Sequence, residues 1–363
     1  MDKTWQKLKS NPTLFQRYFI KEYLIKACRR FFEDRNYHEL ESPIITNALP
    51  QERYINVLTT QIELAGNKSM TGYLTPTTET YNKKILAAGL GEHFVITKVL
   101  RGLEEISENH SPEFTMLEWY HLNATYKDLM TDCEELFAYI FRYIKQSLEK
   151  EQKIAKFPID LTPFQQDFKI TYQGQNIDLK SPWHRISIPQ ALQQYAGIIL
   201  EQVQTDEQFR AVAKAKGYKI SNDDDWQRIF EWIWDNEVEP NLPKDQPVFV
   251  YDFPKQICVL TKVNEQNPLV CERIEIYLAG KEIGNGYTEL IDGDYQEKRF
   301  IEEAEARKKL GLKEIAFDHD LINAIKSGMP NVAGIGVGLD RIAMILADAK
   351  YISDINYFPV SEW

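Results

Sequence analysis

The run Gly334-Ile335-Gly336-Val337-Gly338-Leu339-Asp340-Arg341 constrains the fold more than any other stretch of the chain. Successive residues of a strand point to opposite faces, so glycine at every second position leaves one face without side chains. A flat ligand can lie against such a face. The residues that follow, LDRIAMILADA, are apolar at helical spacing, so a strand should feed directly into a helix whose start carries Arg341. A guanidinium there can reach a phosphate. The run is not a dinucleotide-binding fingerprint: the glycines alternate as GxGxG, no GxxG follows, and no acidic residue stands about 20 positions on at a strand end.

Two further segments place charged residues inside otherwise apolar strands, where burial costs several kcal/mol unless a partner or ligand compensates. Residues 92–101 and 113–120 are rich in β-branched and aromatic residues and flank a polar loop, which predicts an antiparallel hairpin. Arg101 closes its first strand, Glu104 and His110 lie in the loop, and Phe114, Glu118 and Tyr120 share one face of the return strand. A surface hairpin with salt-bridged inward residues fits that pattern equally well. In CERIEIYLAGKEIGNGYTELID, Glu275 and Glu282 stand on strands joined by an Ala279-Gly280 turn, and Asn285, Tyr287 and Glu289 alternate. Paired carboxylates commonly hold Mg²⁺ against nucleotide phosphates; on spacing alone, pairing with nearby lysines is also open.

Around these segments the chain reads as ordinary packed protein. Its 363 residues are 43% hydrophobic and 27% charged, enough to bury a large core and inconsistent with disordered or collagenous classes. A net charge of −11 argues against broad, non-specific nucleic-acid binding while leaving a local basic patch open. Cys28, Cys133, Cys258 and Cys271 are far apart with no CxxC pair, which predicts free thiols in a reduced compartment. The N-terminal MDKTWQKLKSNPTLF lacks the apolar core of a signal peptide, and no run of about 18 apolar residues occurs. A cytoplasmic chain with no membrane partner is expected. After Asn11-Pro12 the apolar spacing predicts a long amphipathic helix ending near residues 34–36, then a short extended segment halted by Pro43. A helix is predicted over 125–149, and another after the acidic cap ending at Asp225, with its tryptophans in the core. Strands VFVYDFP, ERIEIYLAG and KEIGNGYTEL should precede helices from Tyr295 to Leu310 and from Asp318 to Lys326. With no repeat and no Gly/Ser linker, one domain over 1–363 is expected, with 150–245 as a partly inserted region.

Taken in order, the helix-strand-Pro43 unit, the arginine-loop-HxxxF hairpin and the terminal GxGxGxDR resemble the signature motifs of class II aminoacyl-tRNA synthetases. The wording of HSPEFTMLEWY, ERIEIYLAGKEIGNGYTEL and GIGVGLDR is similar to lysyl-tRNA synthetases and to their shorter relatives, the elongation factor P lysine ligases of the GenX or PoxA group. WDNEVEPNLPKDQPVFVYDFP and DHDLINAIKSGMPNVAG look like the ligase group, and the catalytic opening helix begins too early to follow an anticodon-binding domain, so the ligase group is the expectation.

The resemblance implies an α+β fold, a mainly antiparallel sheet flanked by helices, and activation of lysine or β-lysine by ATP with Mg²⁺. Arg101 would bind the amino-acid carboxylate and the α-phosphate, with Phe114 stacked on adenine and Arg341 over its other face reaching the γ-phosphate. His110 would belong to the same ATP site, and Glu275 and Glu282 would hold Mg²⁺. Glu79, Glu118, Tyr120, Gly284, Asn285, Tyr287 and Glu289 would form the lysine pocket. Elongation factor P is the implied acceptor ahead of tRNA, and a homodimer the implied assembly. Two positions depart from the family pattern. The adenine-reading carboxylate falls one place late, at Glu104, with Glu105 as the alternative. Gly284 stands where the ligases often carry alanine, which in that group accompanies acceptance of β-lysine.

Overall fold

The computed structural model describes residues 3–53, 55–102 and 107–362. The opening helix forms where its sequence predicts. Asn11 ends a short helix, Thr4–Ser10, its side chain accepts the Thr13 N–H at 3.3 Å, and one tight turn later the helix Phe15–Glu33 begins. Leu24, Cys28, Phe31 and Phe32 lie on its buried face. Phe32 stacks on Phe94 with 5.0 Å between ring centroids and leans on Trp119 at 5.2 Å. Full burial of one such apolar side chain is worth about 1.5–3 kcal/mol, so this seam alone fixes the helix across the sheet.

In chain order the strands are β1 (His38–Glu39), β2 (Ile45–Thr46), β3 (Thr59–Leu64), β4 (Lys68–Leu74), β5 (His93–Leu100), β6 (Glu113–Leu122), β7 (Lys169–Tyr172), β8 (Gln175–Asp178), β9 (His184–Ser187), β10 (Val248–Pro254), β11 (Val270–Leu278), β12 (Lys281–Thr288) and β13 (Val332–Gly338). Eight of them form one sheet in the order β1-β5-β6-β13-β12-β11-β10-β9. Its interior pairings are all antiparallel, and a parallel strand closes each edge. The expected α+β class with a mainly antiparallel sheet is what forms. Helices Phe15–Glu33, Tyr126–Glu151 and Leu339–Leu346 cover one face, which leaves the middle of the other face for the site.

The predicted hairpins appear as β5-β6 and β11-β12. The second turns on Ala279 and Gly280, with φ of 54° and 70°, the left-handed pair that a two-residue hairpin loop needs. The region expected to be partly inserted contributes the β7-β8 hairpin, edge strand β9 and a helical layer with its own core. There Asp225 accepts the Arg228 N–H at 3.0 Å, capping the helix Trp226–Ile233. Trp226, Phe230 and Trp234 stack in series at 5.4 and 5.7 Å, so these tryptophans are core. Outside that region, the three-stranded sheet β2-β4-β3 and the helix Glu79–Ala87 were not anticipated; within it, neither were the β7-β8 hairpin, β9 and the helix Asp206–Ala215. Among the described residues no helix is long and apolar enough to cross a membrane, and all four cysteines are free and buried.

Candidate active site

Strand register gives the glycine run its meaning. On β13, Gly334 lies opposite Tyr120 of β6, and Gly336 lies opposite Glu118. A Cβ on Gly334 would come within 2.5 Å of the Tyr120 ring and 2.6 Å of a Glu289 carboxylate oxygen, and one on Gly336 within 3.4 Å of Glu118. The bare face therefore first makes room for the protein's own acids and tyrosine. What remains above it are two cavities, of about 290 Å³ and about 90 Å³. Arg101, Met116, Asn285 and Gly336 line both, so the two meet at Arg101.

The larger cavity collects carboxylates. Glu118 is buried, and its Oε1 accepts the Thr77 hydroxyl at 2.7 Å and the Thr78 N–H at 2.9 Å, while Oε2 accepts the Asn82 amide at 3.1 Å. It thus ties the sheet floor to the start of the helix Glu79–Ala87, using most of its accepting capacity. Burial raises its pKa and these donors oppose the rise. That helix carries Lys83, whose side chain is fully buried and pairs with Glu289 Oε2 at 2.7 Å and with Glu79. Burial alone would strip its charge, but Glu289 and Glu79 outweigh burial and hold the ammonium above its ordinary pKa. Burial pushes Glu289 up to about 8 even with Lys83 beside it. The Tyr287 hydroxyl donates to Glu79 Oε1 at 2.6 Å. Tyr120, itself buried, stacks on His93 at 5.3 Å.

The smaller cavity collects cations and a ring. Phe114, His110, Glu282, Gly284, Gly338 and Arg341 border it. Arg341 donates to the carbonyls of Glu282 and Asn109 at 2.6 and 3.2 Å, and Arg101 donates to that of Pro76 at 3.3 Å while its guanidinium stands 5.3 Å over the Phe114 ring. Neither arginine has a carboxylate partner among the described residues. The neighbouring Asp340 serves the fold instead: buried, it receives the Thr115 N–H and pairs with Lys21 of the opening helix. Glu275 and Glu282 project from adjoining strands, with Glu275 held by Arg273 at 2.9 Å and the Tyr277 hydroxyl at 3.0 Å. Burial, then the charge of Glu282, pushes Glu275 up to about 7. An acid whose ionisation a neighbouring carboxylate opposes suits a divalent cation held between the two. No group of three or more potential ligands gathers among the described residues, so such an ion would complete its shell with phosphate oxygens and water.

Of the anticipated residues that the structure describes, the fold brings all but one into one site, in two compartments; Glu275 lines neither cavity and reaches the site through its neighbours Arg273 and Glu282. Gly284 borders the small cavity and not the large one. Its backbone is closed to larger residues: a Cβ would stand 2.5 Å from Val337 Cγ1 and 2.6 Å from the Gly336 carbonyl oxygen. Glu104 and Glu105 lie outside the described residues. Lys83, Arg273, Thr77 and Glu52, all at the site, were not anticipated. Arg273 carried a signal, since it precedes Glu275 by two in an apolar strand and so shares its face. Lys83 follows Glu79 by four, a spacing that in a helix usually marks an exposed ion pair; nothing in the sequence says that this one is buried.

Comparison with known proteins gives a consistent picture. Residues 1–362 match the family described as tRNA synthetases class II (D, K and N). The chain is 31% identical over 356 residues to a lysine–tRNA ligase of Carboxydothermus hydrogenoformans, covering 96% of this chain and 66% of that protein. It is 31% identical over 358 residues to that of Legionella pneumophila strain Corby, covering 98% and 67%. The lysine–tRNA ligase of Pelotomaculum thermopropionicum is 32% identical over 358 residues, covering 96% and 64%. The chain spans about two thirds of the length of these relatives.

Proposed function

Because the chain belongs to the class II tRNA synthetase family (D, K and N), we propose that it activates lysine with ATP, forming lysyl-adenylate and pyrophosphate, and passes the lysyl group to an acceptor amine. The observation that carries this is the division of the site at Arg101 between an acid-rich cavity and a cation-and-ring cavity. A substrate with two ammonium groups needs anionic partners, and a triphosphate with a flat base needs arginines and an aromatic face. Lysine lies with its carboxylate toward Gly336 and Arg101 and its far ammonium toward Glu289, with Glu79, Glu118, Tyr120, Asn285 and Tyr287 around it. A lysine carboxylate oxygen attacks the α-phosphorus, the bond to pyrophosphate breaks, and Arg101 offsets charge on both reacting groups. Phe114, Arg341 and His110 hold the nucleotide. Mg²⁺ bound by Glu275 and Glu282 would neutralise phosphate charge. No protein nucleophile is required, since positioning and electrostatics supply the acceleration.

For the acceptor, the ligase-like stretches and the net charge of −11, which gives no general attraction to a polyanion, favour a lysine side chain of elongation factor P. A specific pair of observations favours tRNA: the lysine–tRNA ligase relatives run along nearly the whole chain, and Gly284 is the synthetase-like residue. An amine and a ribose hydroxyl can each attack the adenylate carbonyl and release AMP, so the chemistry is neutral between them. A homodimer, implied by the resemblance, and a cytoplasmic location, expected from the sequence, belong to the same proposal. Lysine-dependent exchange of pyrophosphate into ATP, measured against all twenty amino acids and β-lysine, tests the activation. Mass spectrometry of elongation factor P and total tRNA incubated together with enzyme, ATP and labelled lysine then separates the acceptors: label on tRNA alone overturns the protein acceptor.

A further inference from the structure

One acid in the larger cavity is unlike the rest. Glu118 is engaged by three donors, and Glu79 and Glu289 share Lys83. Glu52, which lines the same cavity, makes no side-chain hydrogen bond or ion pair among the described residues. It is half-buried, and the loop that carries it is held firmly. Arg307, buried in the helix Gly293–Lys309, donates from one nitrogen to the carbonyls of Glu52, Arg53 and Ile55 at 2.9, 2.9 and 3.0 Å, and from the other to that of Lys313 at 2.9 Å. Arg53 next door pairs with Glu303 and Asp225. At its far end the loop meets the reacting centre, because the Gly102 N–H donates to the Asn56 carbonyl at 2.9 Å, one residue after Arg101.

A buried guanidinium satisfying several carbonyls is a costly device for holding a surface loop, and what the loop presents to the cavity is an acid with its full accepting capacity unused. The charged groups that act on Glu52 are Glu79, Arg273, Arg101 and Lys83; burial and Glu79 push it up to about 7 against the three cations. The distal ammonium of lysine already has Glu289 at the Gly334 end. The amino group beside the reacting carboxylate needs a counter-charge near Arg101, and Glu52 is the acid there with no partner of its own.

We infer that Glu52 is a specificity-determining residue that binds the amino group nearest the reacting carboxylate of the substrate: the α-amino group of lysine or the β-amino group of β-lysine. This rests on lysine being the amino acid activated. The test compares lysine with 6-aminohexanoate, which keeps the carboxylate and the distal ammonium but lacks the amino group between them. Calorimetry on the full chain should show the wild type preferring lysine by 100-fold or more. In Glu52→Gln, lysine affinity should fall 10- to 100-fold while 6-aminohexanoate affinity stays within about threefold, so the preference collapses. Glu52→Asp should recover part of it. A merely structural role would weaken both ligands together. An undiminished preference in a folded Glu52→Gln variant, or in Glu52→Ala should Gln perturb the loop, overturns the inference. A wild type that binds neither ligand instead overturns the lysine assignment, a failure visible before any variant is made.

Discussion

The two cavities share strand β13 and meet at Arg101, yet they handle charge in opposite ways. In the larger, nearly every acid is engaged before a substrate arrives: Glu118 by Thr77, Thr78 and Asn82, and Glu79 and Glu289 by Lys83. In the smaller, Arg101 and Arg341 are steered by backbone carbonyls and, for Arg101, by the Phe114 ring, and neither meets a carboxylate among the described residues. Burial accounts for the difference. Several carboxylates enclosed together would not stay ionised without an internal cation. Guanidiniums stay ionised in any protein environment and bordering an open cavity need no counter-ion until a phosphate supplies it. One compartment is built around stored compensation, the other around its absence.

Removing the stored compensation should give the largest effect. Lys83→Met leaves Glu79 and Glu289 facing each other in a buried space, and breaking a buried ionic network in this way costs about 3–5 kcal/mol. Urea denaturation at pH 8 should show that loss. It should shrink towards pH 6, where Glu289, already held at about 8 in the wild type, takes up a proton. A loss that does not vary with pH would mean that Lys83 acts by packing and not by charge.

Removing an uncompensated cation should instead leave stability almost untouched. For Arg101→Ala the expected loss is about 10²–10³-fold in the rate of pyrophosphate exchange, the scale for deleting one oriented donor at a developing charge, with the melting temperature little changed. A melting temperature that falls as far as that of Lys83→Met would erase the contrast between the compartments.

Glu289→Gln sharpens it further. Lysine affinity should fall by at least about 2 kcal/mol, because a buried ammonium loses its counter-charge, while ATP affinity is nearly unaffected. The wild-type carboxylate also sets a pH trend. A pKa raised in the folded state means that Glu289's contribution to stability is full below the ordinary glutamate range and is lost as pH rises through about 8. The ligand-free protein should therefore lose stability across that window, and Glu289→Gln should flatten its share of the slope. Equal weakening of lysine and ATP by the same variant would show that the compartments are not independent.

The smallest effect is expected at Gly284. The resemblance to the ligase group implies that alanine here shifts preference towards β-lysine. The backbone leaves a methyl only 2.6 Å from the Gly336 carbonyl oxygen, so β12 and β13 must move apart to admit it. Overpacking of this kind costs about 1–3 kcal/mol, and Gly284→Ala should slow exchange with both isomers to a similar degree. A changed ratio of the two isomers at constant stability would restore the specificity role.

How far the sequence could be read follows from where its signals are local. The β5-β6 and β11-β12 hairpins and the passage from β13 into its helix were legible because alternation, turn residues and a change of period sit within about 20 residues of one another. The sheet β2-β4-β3 was not, since much of it is exposed and polar and offers no apolar period. At the site, residue types were legible and their engagements were not. Glu118 reads as a free ligand until its donors appear 36 to 41 residues away. Glu52 is invisible as a functional residue because the guanidinium that displays its loop lies about 250 residues later.

Gly336 borders both cavities, and Gly334, two residues along the same strand, carries the space that Glu289 fills. Two residues of strand span about 7 Å, and a strand paired on both sides cannot stretch. On the proposed binding mode, the separation between the point of reaction and the far counter-charge is therefore a fixed length, a measuring rod against which a substrate is gauged. In that mode, ornithine, one methylene shorter than lysine, cannot meet both ends at once. With its carboxylate at Arg101 its ammonium stops short of Glu289, and with its ammonium at Glu289 its carboxylate stops short of the phosphorus. A homologue one methylene longer has to buckle. Selection by length in this pocket needs no wall, only two ends that cannot approach each other.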